Sequence, residues 1–213
     1  MDIRERSAKN NLNRHPWEMA RYQLSKVLLS SYLKKDAEIT ILDIGSGDLF
    51  VAKEIMKDFP KVKYFAVDSA YNQTIRAGIE NEGFSNIKLY KSLDELLPVL
   101  QQVDIVLLMD VIEHVADDIA FMEYIKSFSF IKPFTLFYIT VPAFQKLFSH
   151  HDVFLGHFRR YTRTMLLDHL QKASYGTLAS GYFFTSLLVP RIMEVIRERL
   201  LGRKQQTTGL VEW

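Results

Sequence analysis

Cysteine is absent from this 213-residue chain, which excludes disulfides, thiol nucleophiles and cysteine-ligated metals. No run of about 18 apolar residues occurs, so no segment is expected to span a bilayer as a helix. The formal net charge is only +2, too small a basic excess to make nucleic acid the expected partner. The opening Met1-Asp2-Ile3-Arg4-Glu5-Arg6 has no apolar stretch behind its charges, so no secretory signal is read and the cytoplasm is the expected compartment. What is present suits a folded chain: 48% apolar residues are enough to build one substantial core, and a single domain over 1–213 is expected.

Within that domain the pattern divides at 37 and 142. Residues 1–37 read as a helical cap, with Pro16 in a first helical turn, where its missing N–H costs nothing. Trp17, Ala20, Leu24, Val27 and Leu28 recur on one helical face. Residues 38–142 alternate strand and helix. Glu38–Ile44 is a strand breaking at Gly45-Ser46-Gly47, and Leu49, Ala52, Ile55, Met56 and Phe59 form a helix stopped by Pro60. Val62–Val67 is a strand and Asn72–Gly83 a helix. Asn86–Tyr90 is a strand, and Ser92 is placed to cap a helix through Leu100 with Glu95 at its third position. Val103–Met109 and Phe134–Val141 read as buried strands around a helix over Ile119–Phe130. Five such units predict an α/β fold, a doubly wound and mostly parallel sheet with helices on both faces. Residues 143–163 read as a long loop, Thr164–Ala173 as a helix, and Tyr175–Phe184 as a sixth strand, its Tyr182-Phe183-Phe184 expected in the core. Pro190–Leu201 is an amphipathic basic helix with Ile192, Val195, Ile196 and Leu200 on one side and Arg191, Arg197, Arg199 and Arg203 around it. Its stripe is expected to pack on the domain or in a homodimer, with an anionic membrane surface as the alternative.

The chemistry concentrates where the first strand ends. Ile41-Leu42-Asp43-Ile44-Gly45-Ser46-Gly47-Asp48 puts two glycines where a strand turns into a helix, allowing backbone to approach a ligand. A dinucleotide fingerprint needs a third glycine three residues later, and Phe50 stands there. That substitution, with the negative Asp43, argues against NAD and an oxidoreductase and for a nucleoside ligand without phosphates. Asp43 suits an ammonium or sulfonium group. Asp68 ends the next strand, about 20 residues on, where a carboxylate can take two ribose hydroxyls.

Leu42-Asp43-Ile44-Gly45-Ser46-Gly47 resembles the first motif of class I, Rossmann-like methyltransferases that use S-adenosylmethionine (SAM), and Val67-Asp68 resembles their second. Met109-Asp110-Val111-Ile112-Glu113-His114-Val115 is similar to the segment after the fourth strand in many small-molecule methyltransferases. His15-Pro16-Trp17-Glu18 and His157-Phe158-Arg159-Arg160-Tyr161 resemble a subgroup associated with glycan or lipid biosynthesis. The resemblance covers about residues 15–185. It implies that Gly45, Ser46 and Gly47 line the methionine part of SAM with Asp43 and Asp48 beside them, that Asp68 takes the ribose and Ser69 flanks it, and that Ser92 and Leu93 meet the adenine. Met109, Asp110 and Val111 would wall the methionine side, with Glu113 and His114 beside the transferring methyl. Lys91-Ser92 departs from the pattern, which commonly has an acid there, and no strand follows Leu201 where the family adds a seventh.

Methyl transfer from a sulfonium chiefly requires positioning, worth roughly 7–11 kcal/mol of barrier. A general base adds about 10²–10⁴-fold when the nucleophile must lose a proton. His114, His151 and His157 are the candidate bases, the first at a strand's C-terminal edge, the others in a cluster with His150 and Asp152. The spacing of that cluster matches no standard metal pattern, so no metal is expected. His150, Arg159, Arg160 and Tyr161 are the candidate acceptor-binding residues, since guanidinium forks grip phosphate or carboxylate. Salt bridging of those arginines to Asp117 and Asp118 is the alternative. The expected partner is a small-molecule or lipid-linked acceptor, methylated at oxygen; the rival is a SAM-binding scaffold without catalysis.

Overall fold

A computed structural model of the chain describes residues 16–200 apart from 35, 37, 82 and 85. His15, Arg203 and the stretch beyond Leu200 lie outside the described residues, as do the side chains of Trp17 and Arg199. The chain forms two compact units: residues through Met109 with Phe128–Ile139, and Asp110–Ser127 with the residues from Thr140 on.

The first unit is built on β1 (Thr40–Ile44), β2 (Lys63–Val67), β3 (Ile87–Tyr90), β4 (Ile105–Met109) and β5 (Leu136–Thr140), whose last residue belongs to the second unit. The strand order is β3-β2-β1-β4-β5. β1 pairs in parallel with β2, Ile44 opposite Val67, and with β4, Ile44 opposite Leu108. Apolar runs without alternation make this possible: Ile41, Leu42, Ala66, Val106 and Leu108 are buried whichever face they take. The result is the expected α/β architecture, a parallel sheet flanked by helices. Between β1 and β4 the strand order reverses, and in such sheets ligands bind beyond the strands' carboxyl ends at that reversal. β5 is half-buried rather than buried, because it lies at the edge of the sheet.

Helices α1 (Pro16–Leu28), α2 (Phe50–Asp58) and α3 (Gln73–Asn81) complete the unit. α2 buries Ala52, Ile55 and Met56, the face its spacing predicts. α1 does not follow its apolar stripe. Val27 is 68% and Leu28 54% exposed, whereas Tyr22 is 2% exposed and Glu18, Ser25 and Leu29 are buried. Hydrogen bonds choose that face: the Tyr22 hydroxyl donates to Asp58 at 2.6 Å, Lys26 pairs with Asp58 at 2.6 Å, and Ser25 Oγ meets the Tyr138 hydroxyl at 3.0 Å. The helix expected over Ser92–Leu100 is a single 3₁₀ turn, Asp94–Leu96, without a side-chain cap. Glu95 instead accepts the Lys91 N–H at 3.2 Å, and Pro98 lacks the N–H that a continuing helix requires.

In the second unit, α4 (Asp118–Ser127) and α6 (Arg163–Lys172) match the expected helices, while 143–163 is not one long loop. It holds α5 (His150–Leu155), opened by a capping box: Ser149 Oγ accepts from the His151 N–H, and Asp152 accepts the Ser149 N–H at 2.9 Å. Gly156, at φ 79°, closes it. Tyr175–Phe184 is not a strand; it is largely exposed and pairs with no strand among the described residues. Tyr182 and Phe183 are accordingly exposed rather than core, Tyr182 stacking on Phe144 with centroids 5.0 Å apart. α7 (Leu188–Leu200) is held by Arg191, Val195 and Glu198, not by its whole stripe, since Ile192, Ile196 and Leu200 are exposed. Among the described residues no helix is long and apolar enough to cross a membrane.

Candidate functional site

In the first unit the turn after β1 winds through left-handed backbone at Gly45 (φ 70°), Gly47 (φ 57°) and Leu49 (φ 63°). Glycine takes this conformation without penalty, whereas Leu49 pays roughly 1–2 kcal/mol and is held there by full burial. The turn is stitched to β2: Gly45 N–H donates to the Val67 carbonyl at 2.8 Å, and Ser46 Oγ lies 2.6 Å from the Tyr71 hydroxyl. Asp48 accepts the Phe50 N–H at 3.2 Å and so starts α2. Asp68 Oδ2 accepts the Gly47 N–H and Oδ1 the Ala70 N–H, each at 2.9 Å. The second carboxylate of the predicted pair thus sits on the glycine turn itself.

Asp43 is 1% exposed beneath this turn, accepting a 2.7 Å hydrogen bond from the Tyr64 hydroxyl. Burial pushes its carboxyl up to about 7 despite that bond. Its Oδ1 is buried and has no hydrogen-bond partner among the described residues. A cleft of about 450 Å³, open to solvent, is lined by Gly45, Ser46, Asp48, Phe50, Val51 and Met109 together with Glu18 and Arg21 from α1. Glu18 and Arg21 are the residues sequence reasoning missed as a pair. They lie three apart with Tyr22 and Ser25 on the polar side of a helix read for its apolar stripe. Phe50, at the missing third glycine, packs edge-to-face on Tyr22 at 6.4 Å. Of the other predicted cofactor residues, Leu93 is buried, Ser92 half-buried and Ser69 exposed.

The second unit holds the residues that follow β4. Asp110 is left-handed at φ 57° and fastened by its N–H to the Thr140 carbonyl at 2.9 Å. Val111 is half-buried ahead of a 3₁₀ turn, Ile112–His114, in which Glu113 is fully buried. His114 and His157 stand edge-to-face with ring centroids 4.6 Å apart, a pair separated by 43 positions in sequence. The Phe158 N–H donates to the Glu113 carbonyl at 2.8 Å and fixes that meeting. His157 is oriented from behind, its Nδ1 3.0 Å from Asp152. Asp152 is fully buried and also takes Arg160 at 2.7 Å and Arg191 at 2.9 Å. Burial alone would raise its carboxyl, but hydrogen bonds from His157 and Arg160 and the charge of Arg160 hold it well below the usual carboxylate range.

His150 and His151 are exposed and do not join that pair. Arg159 and Arg160 are engaged within the unit rather than extended as a clamp. Arg159 meets Asp118 at 3.2 Å and the Val115 and Ala116 carbonyls, which realises the salt-bridge alternative at Asp118. Tyr161 is buried with its hydroxyl 2.6 Å from Asp118. Asp118 also receives His169 Nδ1 at 2.8 Å. Burial opposes its ionisation, but Tyr161, His169 and Arg159 lower its carboxyl below the ordinary value.

No family profile matches the chain, and no curated protein matches it in sequence. Solved structures do share its architecture. The 4+2 cyclase SpnF superposes with a TM-score of 0.64 at 17% identity, over 91% of this chain and 72% of that one. A protein provisionally assigned as a sarcosine dimethylglycine methyltransferase from Galdieria sulphuraria gives 0.62 at 14% identity, over 88% and 73%. A SAM-dependent methyltransferase from Aquifex aeolicus gives 0.51 at 20% identity, over 81% and 88%. With its strand order and its glycine turn at the point of reversal, this chain has the class I, Rossmann-like fold of SAM-dependent methyltransferases.

Proposed function

We propose that this chain moves the methyl group of SAM to a small-molecule or lipid-linked acceptor, at oxygen. The observation that carries the reading is the left-handed turn Gly45–Leu49 at the sheet's reversal point, set between the buried Asp43 and the Asp68 carboxylate. The residues fit the cofactor: Asp43 Oδ1 is a buried acceptor without a hydrogen-bond partner among the described residues, the turn leaves no Cβ at Gly45 or Gly47, and Phe50 fills the place where a pyrophosphate would need glycine. Gly45, Ser46, Gly47, Asp48 and Met109 would hold the methionine end, Asp68 and Ser69 the ribose, and Ser92 and Leu93 the adenine, with Asp110 and Val111 continuing from β4. Bound there, SAM supplies a methyl group already activated on a sulfonium. The chain's own work is then to orient, to exclude water and to receive a proton. His114 and His157 are the imidazoles suited to that last step, His157 with its tautomer governed by Asp152.

The same fold serves a cyclase in SpnF, which keeps a non-methylating use in view. The decisive experiment is calorimetry of the chain with SAM, its demethylated product and NAD, followed by transfer of isotope-labelled methyl to a panel of hydroxylated small molecules and lipid-linked glycans. SAM binding with label transfer is the expected result. Binding of NAD in preference to SAM would overturn the proposal, and SAM binding without transfer to any acceptor would favour the scaffold reading.

A further inference from the structure

The second unit brings the adjacent Glu113 and His114 together with His157, 43 positions further on: each presents one donor atom, and the three atoms all lie within 4.8 Å of one another. We infer that these residues form a binding site for a divalent first-row transition metal of the zinc or manganese type. Two imidazoles and one carboxylate are the donor set that proteins use for zinc and for open-sided iron or manganese sites. Magnesium and calcium, which require mostly oxygen donors, fit it poorly. Donors bonded tetrahedrally to one ion at about 2.0–2.2 Å lie roughly 3.3–3.6 Å apart, so binding draws together atoms that lie within 4.8 Å of one another, a movement within reach of side-chain rotation.

The surroundings supply a second, independent feature. Metal-bound histidines usually give their other ring nitrogen to a carboxylate, which sets the tautomer and the ring plane. Asp152 does this for His157, contacting Nδ1 at 3.0 Å, which makes Nε2 the nitrogen available to a metal. Asp152 is itself locked by Arg160, Arg191 and the Ser149 N–H, so both the ring and its support are preorganised. Glu113 is fully buried and strapped to the segment after His157 through the Phe158 N–H, which keeps the carboxylate and the second histidine in register. Three protein donors leave at least one coordination position for an oxygen ligand, water or a hydroxyl, and with the ion bound the two imidazoles would serve as ligands, their proton-accepting role belonging to the metal-free chain.

The test uses the chelator-treated full chain without SAM or acceptor, so its failure would leave the methyltransferase reading untouched. Zn²⁺ is titrated by calorimetry and Co²⁺ by its visible ligand-field absorption. One equivalent should bind. His114→Ala and His157→Ala should each weaken binding at least 100-fold, while Asp152→Asn, acting through His157, should weaken it about 10–100-fold. His151→Ala, on the exposed face of α5, should leave affinity unchanged. Folding of each variant is checked by circular dichroism, with His157→Gln replacing any alanine variant that fails. No stoichiometric binding by the folded chain, or binding that survives loss of His114 and His157, would overturn the assignment.

Discussion

A buried carboxylate such as Asp43 is costly wherever nothing balances its charge, and its position under the glycine turn makes that cost measurable. Its folded value of about 7 lies above the ordinary unfolded value near 4. The fold therefore favours the protonated form, and the penalty grows as pH rises from about 4 and is complete above about 7. Asp43→Asn should melt higher than the parent at pH 8, by an amount corresponding to as much as about 4 kcal/mol, with the gap closing toward pH 4. Thermal melts across that range check it; a gap independent of pH would contradict the burial argument. Asp68 differs, because it already accepts two backbone N–H groups, from Gly47 and Ala70. Asp68→Ala should raise the dissociation constant for SAM about tenfold or more, since charge-assisted hydrogen bonds are worth roughly 1.5–3 kcal/mol. Calorimetry on the folded variant decides it, and an unchanged affinity would remove Asp68 from the site.

Among the elements, α5 shows how a six-residue helix can be held without length. Too short to persist alone, it is fixed by its capping box and by the arginines gathered on Asp152. Ser149→Ala should cost about 1 kcal/mol, the usual worth of a lost cap. Asp152→Ala should cost roughly 3–5 kcal/mol, because it strands buried cationic partners. Asp152 has a lowered folded value, so its contribution is present above about pH 4 and is lost as pH falls through that value. Denaturant unfolding of both variants at pH 7 separates the two effects, and equal losses would refute the distinction. α7 depends on the same group through Arg191, so Asp152→Ala should also increase amide exchange in 188–200, and unchanged exchange there would show that Val195, Glu198 and the other Arg191 bonds hold the helix without Asp152.

For the molecule as a whole, ligand choice is the informative observable. A ligand that binds only the native state stabilises it by mass action. SAM and its demethylated product should raise the melting temperature, NAD should not, and protection from hydrogen exchange should concentrate at 43–49 and 68–71, where the turn and Asp68 lie. Stabilisation by NAD with no response to SAM would count against the reading of Phe50.

The sheet and its glycine turn were legible from residues alone because their signals are local: apolar runs without alternation, Gly45 and Gly47 at a strand's end, a carboxylate ending the next strand. Phe50 excluded a dinucleotide fingerprint for the same reason. What tertiary structure decided was everything that depends on partners distant in sequence. α1 turned Tyr22 and Ser25 inward because Asp58 and Tyr138 offered hydrogen bonds, and so brought Glu18 and Arg21 to the cleft while leaving Val27 and Leu28 exposed. Tyr175–Phe184 pairs with no strand among the described residues and stays irregular and largely exposed, since β-propensity is realised only by pairing. His157 was separated from its sequence neighbours His150 and His151 and set against His114 by the closure of a 43-residue interval. No periodicity encodes that contact; packing and hydrogen bonding on Asp152 create it.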